Sequence, residues 1–128
     1  MQFNIKITII VVGVDLEDGA HYILSEYTDD GSIACPYLYL TQEMADTISE
    51  NIDITDIVKS ELEKHLTLDM LFVNPKCIYS NIILDDTLEI AYGSMIPLDS
   101  TLLNRASFVT AQKAPPTILK ALSQHEFI

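Results

Sequence analysis

The chain has 128 residues, a formal net charge of −12 and 48% hydrophobic residues. This length suits one domain, expected to span residues 1–128, with a core that needs no disulfide or metal to hold it. The excess of carboxylates repels nucleic-acid phosphates and the few cations are scattered, which argues against direct nucleic-acid binding.

The apolar run at residues 7–14 is too short to cross a bilayer and lacks the basic start and cleavage site of a signal peptide. We therefore expect a central strand there and no membrane association. Cys35 and Cys77 lie in apolar sequence without metal-ligand spacing. This pattern predicts reduced, buried thiols in a cytoplasmic protein.

Three strands are predicted in the first forty residues. Residues 3–14 are rich in isoleucine, valine and threonine, which pack well on a pleated surface. Residues 20–28 follow an acidic turn and are expected to pair antiparallel with the first strand. Residues 33–40 form the third strand, which Pro36 interrupts because proline has no backbone N–H.

Two helices are predicted next. Thr41 suits the N-cap of a short helix that runs to about Asn51. The main helix is predicted at residues 53–69, where Asp53 and Asp56 favour the start through the helix dipole. Its expected buried stripe, at helical spacing, consists of Ile54, Ile57, Val58, Leu62, His65 and Leu66.

In the last third of the chain, the sequence pattern predicts two more strands and a helix. Residues 77–84 and 87–97 are expected to form a hairpin, and residues 98–113 are expected to be irregular. Pro115 and Pro116 favour a final helix. The order of elements predicts an α+β fold, a mixed β-sheet flanked by helices in an α/β/α sandwich.

Four segments carry a family resemblance. They are YILSEY at residues 22–27, the Cys-Pro-Tyr run at 35–37, EIAYGSMIP at 89–97, and the strand-like piece and helix at 106–122. With the order of elements, they resemble the Nudix fold, in which a helix after the third strand carries the catalytic box. The run at 35–37 is similar to the family's leucine-proline-glycine stretch, without its glycines.

The catalytic box itself is mostly broken. Its second half in the family reads Arg, Glu, apolar, any, Glu, Glu, any, Gly, apolar, and residues 60–68 stand at these positions. The three matching residues are Glu61, Leu62 and Leu68, while Ser60, Lys64, His65 and Thr67 replace the arginine, the paired glutamates and the glycine. Because the family's glutamates hold divalent cations that activate water, the resemblance implies a lost hydrolase activity.

Glu61 is therefore a vestigial catalytic residue in this interpretation. The residues expected to line the remaining ligand cleft are Tyr37, Glu61, Lys64 and His65. Glu61 and His65 have acid/base spacing on a helix, but no nucleophile or third orienting group accompanies them, so an ordinary surface pair is the simpler reading. No metal site is expected, because the three histidines are dispersed.

The leading hypothesis is a catalytically silent Nudix-like domain that acts by binding. Its partner would be another protein, a second copy of the chain in a homodimer, or a small nucleotide-like ligand. No cofactor is expected under this hypothesis. Two alternatives stay open: a divergent hydrolase of nucleoside diphosphate derivatives that uses magnesium with Glu61 and either Glu63 or Asp69, and an unrelated α+β accessory protein.

Overall fold

The computed structural model describes residues 4–25, 34–41, 43, 46, 54–63, 74–83, 86–98 and 108–127. Within these residues, six strands form one mixed sheet and two longer α-helices pack on it. The elements are β1 (Asn4–Asp15), β2 (His21–Leu24), β3 (Tyr37–Tyr39), α1 (Ile54–Leu62), β4 (Lys76–Ile83), β5 (Thr87–Leu98), β6 (Phe108–Thr110) and α2 (Pro116–Gln124). A short 3-10 helix, Ala111–Lys113, precedes α2.

Strand β1 is the centre of the sheet. The strand order is β4-β5-β1-β2-β6, and β3 also pairs with β1. Strand β5 runs parallel to β1 along its whole length, from Asn4 opposite Thr87 to Asp15 opposite Leu98. On the other edge of β1, β3 pairs with its first half and β2 with its second half, both antiparallel.

Side chains of β1 alternate between two buried layers, as expected for a strand covered on both faces. Ile7, Ile9 and Val11 pack with Val58 and Leu62 of α1. We call this side of the sheet the α1 face. Ile10, Val12 and Ile23 pack with Ala121 and Leu122 of α2, on what we call the α2 face. The expected α+β fold, a mixed sheet with helices, is confirmed.

Most of the expected elements that fall on described residues are present. The first two strands pair antiparallel, and the hairpin and the final helix form where the sequence predicted them. The helix expected from Thr41 to about Asn51 falls mostly outside the described residues. So does the expected continuation of the main helix from residue 64 to residue 69. No helix in the described ranges is long and apolar enough to span a membrane.

Two expectations were wrong. The segment 98–113 was expected to be irregular, but its residues 108–110 form β6, which pairs antiparallel with β2 and lies in the strand-like piece that the family resemblance includes. Cys77 was expected in the core but is exposed, while Cys35 is half-buried. Cys77 lies next to a register shift in β4, the outermost strand of the sheet, where few neighbours cover a side chain.

Candidate functional site

Helix α1 carries residues 60–62, the first positions compared with the family's box, in its last turn. Val58 and Leu62 are fully buried and anchor this turn against the α1 face. Between them, Ser60 is exposed and Glu61 is half-buried. Lys64 and His65, the other two cleft candidates on this stretch, lie outside the described residues.

Tyr37 lies on the opposite face of the sheet. It is the register partner of Thr8, and the ammonium of Lys6 lies 4.5 Å from the centre of its ring. Lys6 and Thr8 alternate with Ile7, which points to the α1 face. The structure therefore places Tyr37 on the α2 face and Glu61 on the helix that covers the other one, and does not bring them together.

Glu89 holds together a polar cluster on the α2 face that the sequence had not indicated as a site. Its Oε2 accepts a hydrogen bond of 2.9 Å from the Thr8 hydroxyl, and its Oε1 accepts one of 3.0 Å from the Tyr79 hydroxyl. The Lys6 ammonium lies 4.0 Å from Oε2. The side chain of Glu89 is only 16% exposed, so these partners replace most of its hydration.

The cluster keeps Tyr79 protonated. Burial, followed by the negative charge of Glu89 and the hydrogen bond to it, raises the pKa of the Tyr79 phenol well above its ordinary value. The phenol is therefore a hydrogen-bond donor rather than an acid at neutral pH. Since both carboxylate oxygens of Glu89 accept from hydroxyl groups, the geometry fits a structural clamp that joins β1, β4 and β5.

An aromatic patch lies beside this cluster on the α2 face. Tyr37 and Tyr39 are 48% and 51% exposed, and their rings meet edge to face with centres 5.9 Å apart. Lys6 covers one face of the Tyr37 ring, which leaves the rest of the patch open to solvent. Exposed tyrosines next to a cation form a surface that suits a planar or anionic partner.

A shallow cleft of about 250 Å³ separates β4 from α2. Ile78 and Ala121 form its apolar part. The polar lining is Tyr79, Ser80, Asn81, Thr117, Lys120 and Gln124. The cleft is therefore rich in hydroxyl and amide groups, and Lys120 is the cation among the described residues of its lining.

Comparison with known proteins identifies the fold. No protein-family model matches the sequence, and no curated protein is significantly similar to it. Among solved structures, the chain is similar to a mutT/nudix family protein from Listeria innocua, with TM-score 0.61 and 12% identity over 98% of this chain and 93% of that one. The chain has a Nudix-like fold.

Two further structures are similar to this Nudix-like domain. One is the complex between the C-terminal domain of mouse MUTYH and human PCNA, matched with TM-score 0.60 and 15% identity over 98% of this chain and 88% of that one. The other is the NUDIX domain of Shewanella oneidensis NrtR complexed with ADP ribose, with TM-score 0.57 and 8% identity over 98% and 89% of the two chains. Identities this low establish the fold alone.

The donor set of the box does not fit magnesium. Magnesium requires hard oxygen ligands, and Glu61 is the single family carboxylate retained at the box positions 60–68. Lysine and histidine at residues 64 and 65 supply an ammonium and an imidazole instead. In the described part of the chain, no group of three or more His, Cys, Asp or Glu side chains is arranged to hold a metal ion.

The Glu89 cluster had one sequence signal that could have revealed it. Lys6 and Glu89 are lone charged residues inside otherwise apolar strands, and isolated charges in such strands are paired when they are buried. The pairing itself required the register, since Lys6 and Glu89 are direct partners across β1 and β5. Eighty-one residues separate Thr8 from Glu89, so no local pattern connects them.

Proposed function

We propose that this chain is a Nudix-like binding domain that does not hydrolyse nucleoside diphosphate derivatives. The observation that carries the proposal is the composition of the box on and after α1. Ser60 stands in place of the arginine, and Lys64 and His65 stand in place of the paired glutamates. Glu61 is thus the one glutamate of the family's box that the sequence retains at positions 60–68.

The chemistry explains why such a box is silent. The metal in a Nudix box stabilises the charge on the diphosphate and activates water, which together lower the barrier by several kcal/mol. Each loss of about 1.4 kcal/mol slows the reaction about tenfold. An ammonium at residue 64 further opposes the binding of a divalent cation, because like charges repel at close range.

The aromatic patch supports a binding role. Tyr37 and Tyr39 are roughly half exposed and stand next to Lys6, so a partner with a planar ring and a negative group finds both a stacking surface and a cation. A nucleotide-like ligand has this chemistry. The neighbours with this fold include one solved with ADP ribose and one with another protein, which are the two partner classes considered for this chain.

A divergent hydrolase is the second candidate. Glu61 is half-buried at the end of α1, and Glu63 is exposed one turn after Lys59. Glu61 lies in the last turn of α1, which stands where Nudix enzymes carry the box, and Glu63 directly follows this helix. In this candidate they would hold a single magnesium ion with the help of substrate phosphates.

A thermal-shift panel separates the two candidates. The chain is heated with nucleoside diphosphate compounds, including ADP-ribose, in magnesium and separately in EDTA. A ligand present at about a hundred times its Kd adds about 2.7 kcal/mol of stability. The binding domain gives the same shift in both buffers, and Tyr37→Ala with Tyr39→Ala removes it. A shift that requires magnesium and is lost in Glu61→Gln contradicts the proposal.

A further inference from the structure

The β4–α2 side of the molecule has a charge unlike that of the rest of the chain. Residues 74–83 and 108–124 contain Lys76, Lys113 and Lys120 and no aspartate or glutamate. All 19 acidic residues of the chain lie elsewhere. Strand β4 and helix α2 fall within these two segments and line a common cleft with Lys120 on its lining. The carboxylate of Glu89 borders this cleft, but it already accepts hydrogen bonds from Thr8 and Tyr79 and lies 4.0 Å from the Lys6 ammonium, so Lys120 is the charge that an acidic partner would meet there.

The same side contains a sheet edge that no other described strand covers. Strand β4 is the last strand in the sheet order and, among the described strands, pairs only with β5. Its register is regular from Tyr79 to Ile83, because the irregularity is confined to Cys77 and Tyr79. An edge strand of this kind presents unpaired N–H and C=O groups that can accept another strand.

Charged residues and register irregularities usually keep an edge strand from pairing with another chain, and in β4 both lie at one end of the strand. The charged Lys76 and the register shift both lie at its beginning. From Ser80 to Ile83 there is no charged residue or proline, and Ile82 is 61% exposed. A free edge with an exposed isoleucine is the kind of surface that extended peptides use for strand addition.

The two faces of this edge differ in chemistry. Asn81 is the register partner of Glu89 and so lies on the α2 face, where Lys120 and Gln124 line the cleft beside it. Ile82 is the next residue and points to the α1 face. An added strand would therefore place alternate side chains beside a cation and beside an apolar side chain.

We propose that an extended peptide segment with alternating acidic and apolar side chains adds a strand to the outer edge of β4. Its backbone pairs with the free groups of β4, its carboxylates face Lys120 in the cleft, and its apolar side chains cover Ile82. A second copy of this chain fits the edge less well, because its own β4 supplies a lysine and no carboxylate. The inference goes beyond the proposed function, because it names a second partner class at a surface separate from the aromatic patch.

The probe is a short fluorescein-labelled peptide of alternating glutamate and valine, and its binding is measured by fluorescence anisotropy. The buffer has an ionic strength of about 0.15 M, where a Debye length of about 8 Å screens the distant acidic residues. We expect saturable binding that Lys120→Glu weakens about tenfold, equivalent to 1.4 kcal/mol. Lys113→Glu is the matched control, since Lys113 is also exposed but lies in the 3-10 helix outside the cleft.

A second variant tests the other face. Ile82→Asp adds a carboxylate to the edge without emptying the core, so it should abolish binding while the far-ultraviolet circular dichroism stays unchanged. Equal losses in Lys120→Glu and Lys113→Glu would overturn the proposal in favour of non-specific charge attraction. Displacement of the peptide by inorganic phosphate alone would identify a small-anion cleft instead, and a dimer in sedimentation that Ile82→Asp dissociates would identify a second copy as the occupant.

The peptide-binding experiment and the tests of catalytic silence can fail independently of each other. Phosphate release from a nucleotide would contradict catalytic silence and leave the strand addition standing. Failure of the glutamate-valine peptide to bind the folded wild-type chain would overturn the strand addition and leave catalytic silence untouched.

Discussion

Tyr79 donates a hydrogen bond of 3.0 Å to Glu89 and ties the outermost strand, β4, to β5 on the α2 face. Because Glu89 also accepts from Thr8, one carboxylate connects three strands of the sheet. The bond places a fixed phenol ring at the border between the polar cluster and the cleft beneath α2.

Glu89→Ala should destabilise the fold. The change leaves the hydroxyls of Thr8 and Tyr79 without their acceptor and the Lys6 ammonium without its nearest carboxylate. Hydrogen bonds to a charged group contribute about 1.5–3 kcal/mol each, so we expect the loss of two of them to lower the free energy of unfolding by about 3 kcal/mol or more in urea. Glu63→Ala, an exposed glutamate on the other side of the sheet, should change stability by less than about 0.5 kcal/mol. Equal losses of stability in Glu89→Ala and Glu63→Ala would show that Glu89 does not hold the three strands together.

Tyr79→Phe should cost about 1.5 kcal/mol or more at neutral pH, since it removes one hydrogen bond to a charged carboxylate and keeps the ring. Tyr39→Phe is the matched control, because that tyrosine is half exposed and lies outside the Glu89 cluster. The comparison is made by urea unfolding of both variants under the same conditions.

The stabilisation from Tyr79 should also depend on pH. Its pKa is raised in the folded chain, so the phenol ionises first in the unfolded state, near pH 10. The contribution is fully present below about pH 10 and is lost as the pH rises towards the higher folded value. The difference in the free energy of unfolding between wild type and Tyr79→Phe should therefore be smaller at about pH 11 than at about pH 8. A constant difference would contradict the raised pKa.

Leu62→Ala tests helix α1 as an organiser of the core. Leu62 is fully buried against the α1 face, and truncation of a buried leucine costs roughly 2–5 kcal/mol. Ser60→Ala, two residues earlier on the exposed side, should fall within about 0.5 kcal/mol of wild type. Chemical unfolding of both variants gives the comparison, and a small effect of Leu62→Ala would place the helix outside the cooperative core.

Gly13→Ala should destabilise the centre of the sheet. A Cβ at this position would overlap the side chain of Leu98, which is itself buried. Overpacking of this kind costs about 1–3 kcal/mol. The double variant Gly13→Ala with Leu98→Ala should lose about 1 kcal/mol less than the sum of the single losses, because the shortened side chain makes room. Strict additivity would mean that the two residues do not compete for space.

The sequence predicted the elements with strong patterns and missed those that depend on distant pairing. Strand β1 and the β4–β5 hairpin follow from long runs of β-branched and apolar residues, and α2 follows from its proline start. Strand β6 is three residues long and is defined by its pairing with β2, so no periodicity predicted it. The expectation for Cys77 failed because apolar sequence neighbours do not reveal that a strand lies at the edge of a sheet.

The candidate site was harder to predict than the fold. Tyr37 and Glu61 are close in the order of elements, yet the alternation of β1 places Tyr37 on the face opposite α1. The Glu89 cluster joins residues from three strands, and only the parallel register of β1 and β5 brings them together. Sequence spacing carries no information about such contacts.

The central claim is that the Nudix-like box of this chain is catalytically silent. The most direct measurement is phosphate or nucleoside monophosphate release from ADP-ribose and other nucleoside diphosphate derivatives, in excess magnesium and separately in manganese. We expect no release above the buffer blank from the wild-type chain, and the same rate from Glu61→Gln. Metal-dependent turnover by the wild type that disappears in Glu61→Gln would contradict this claim.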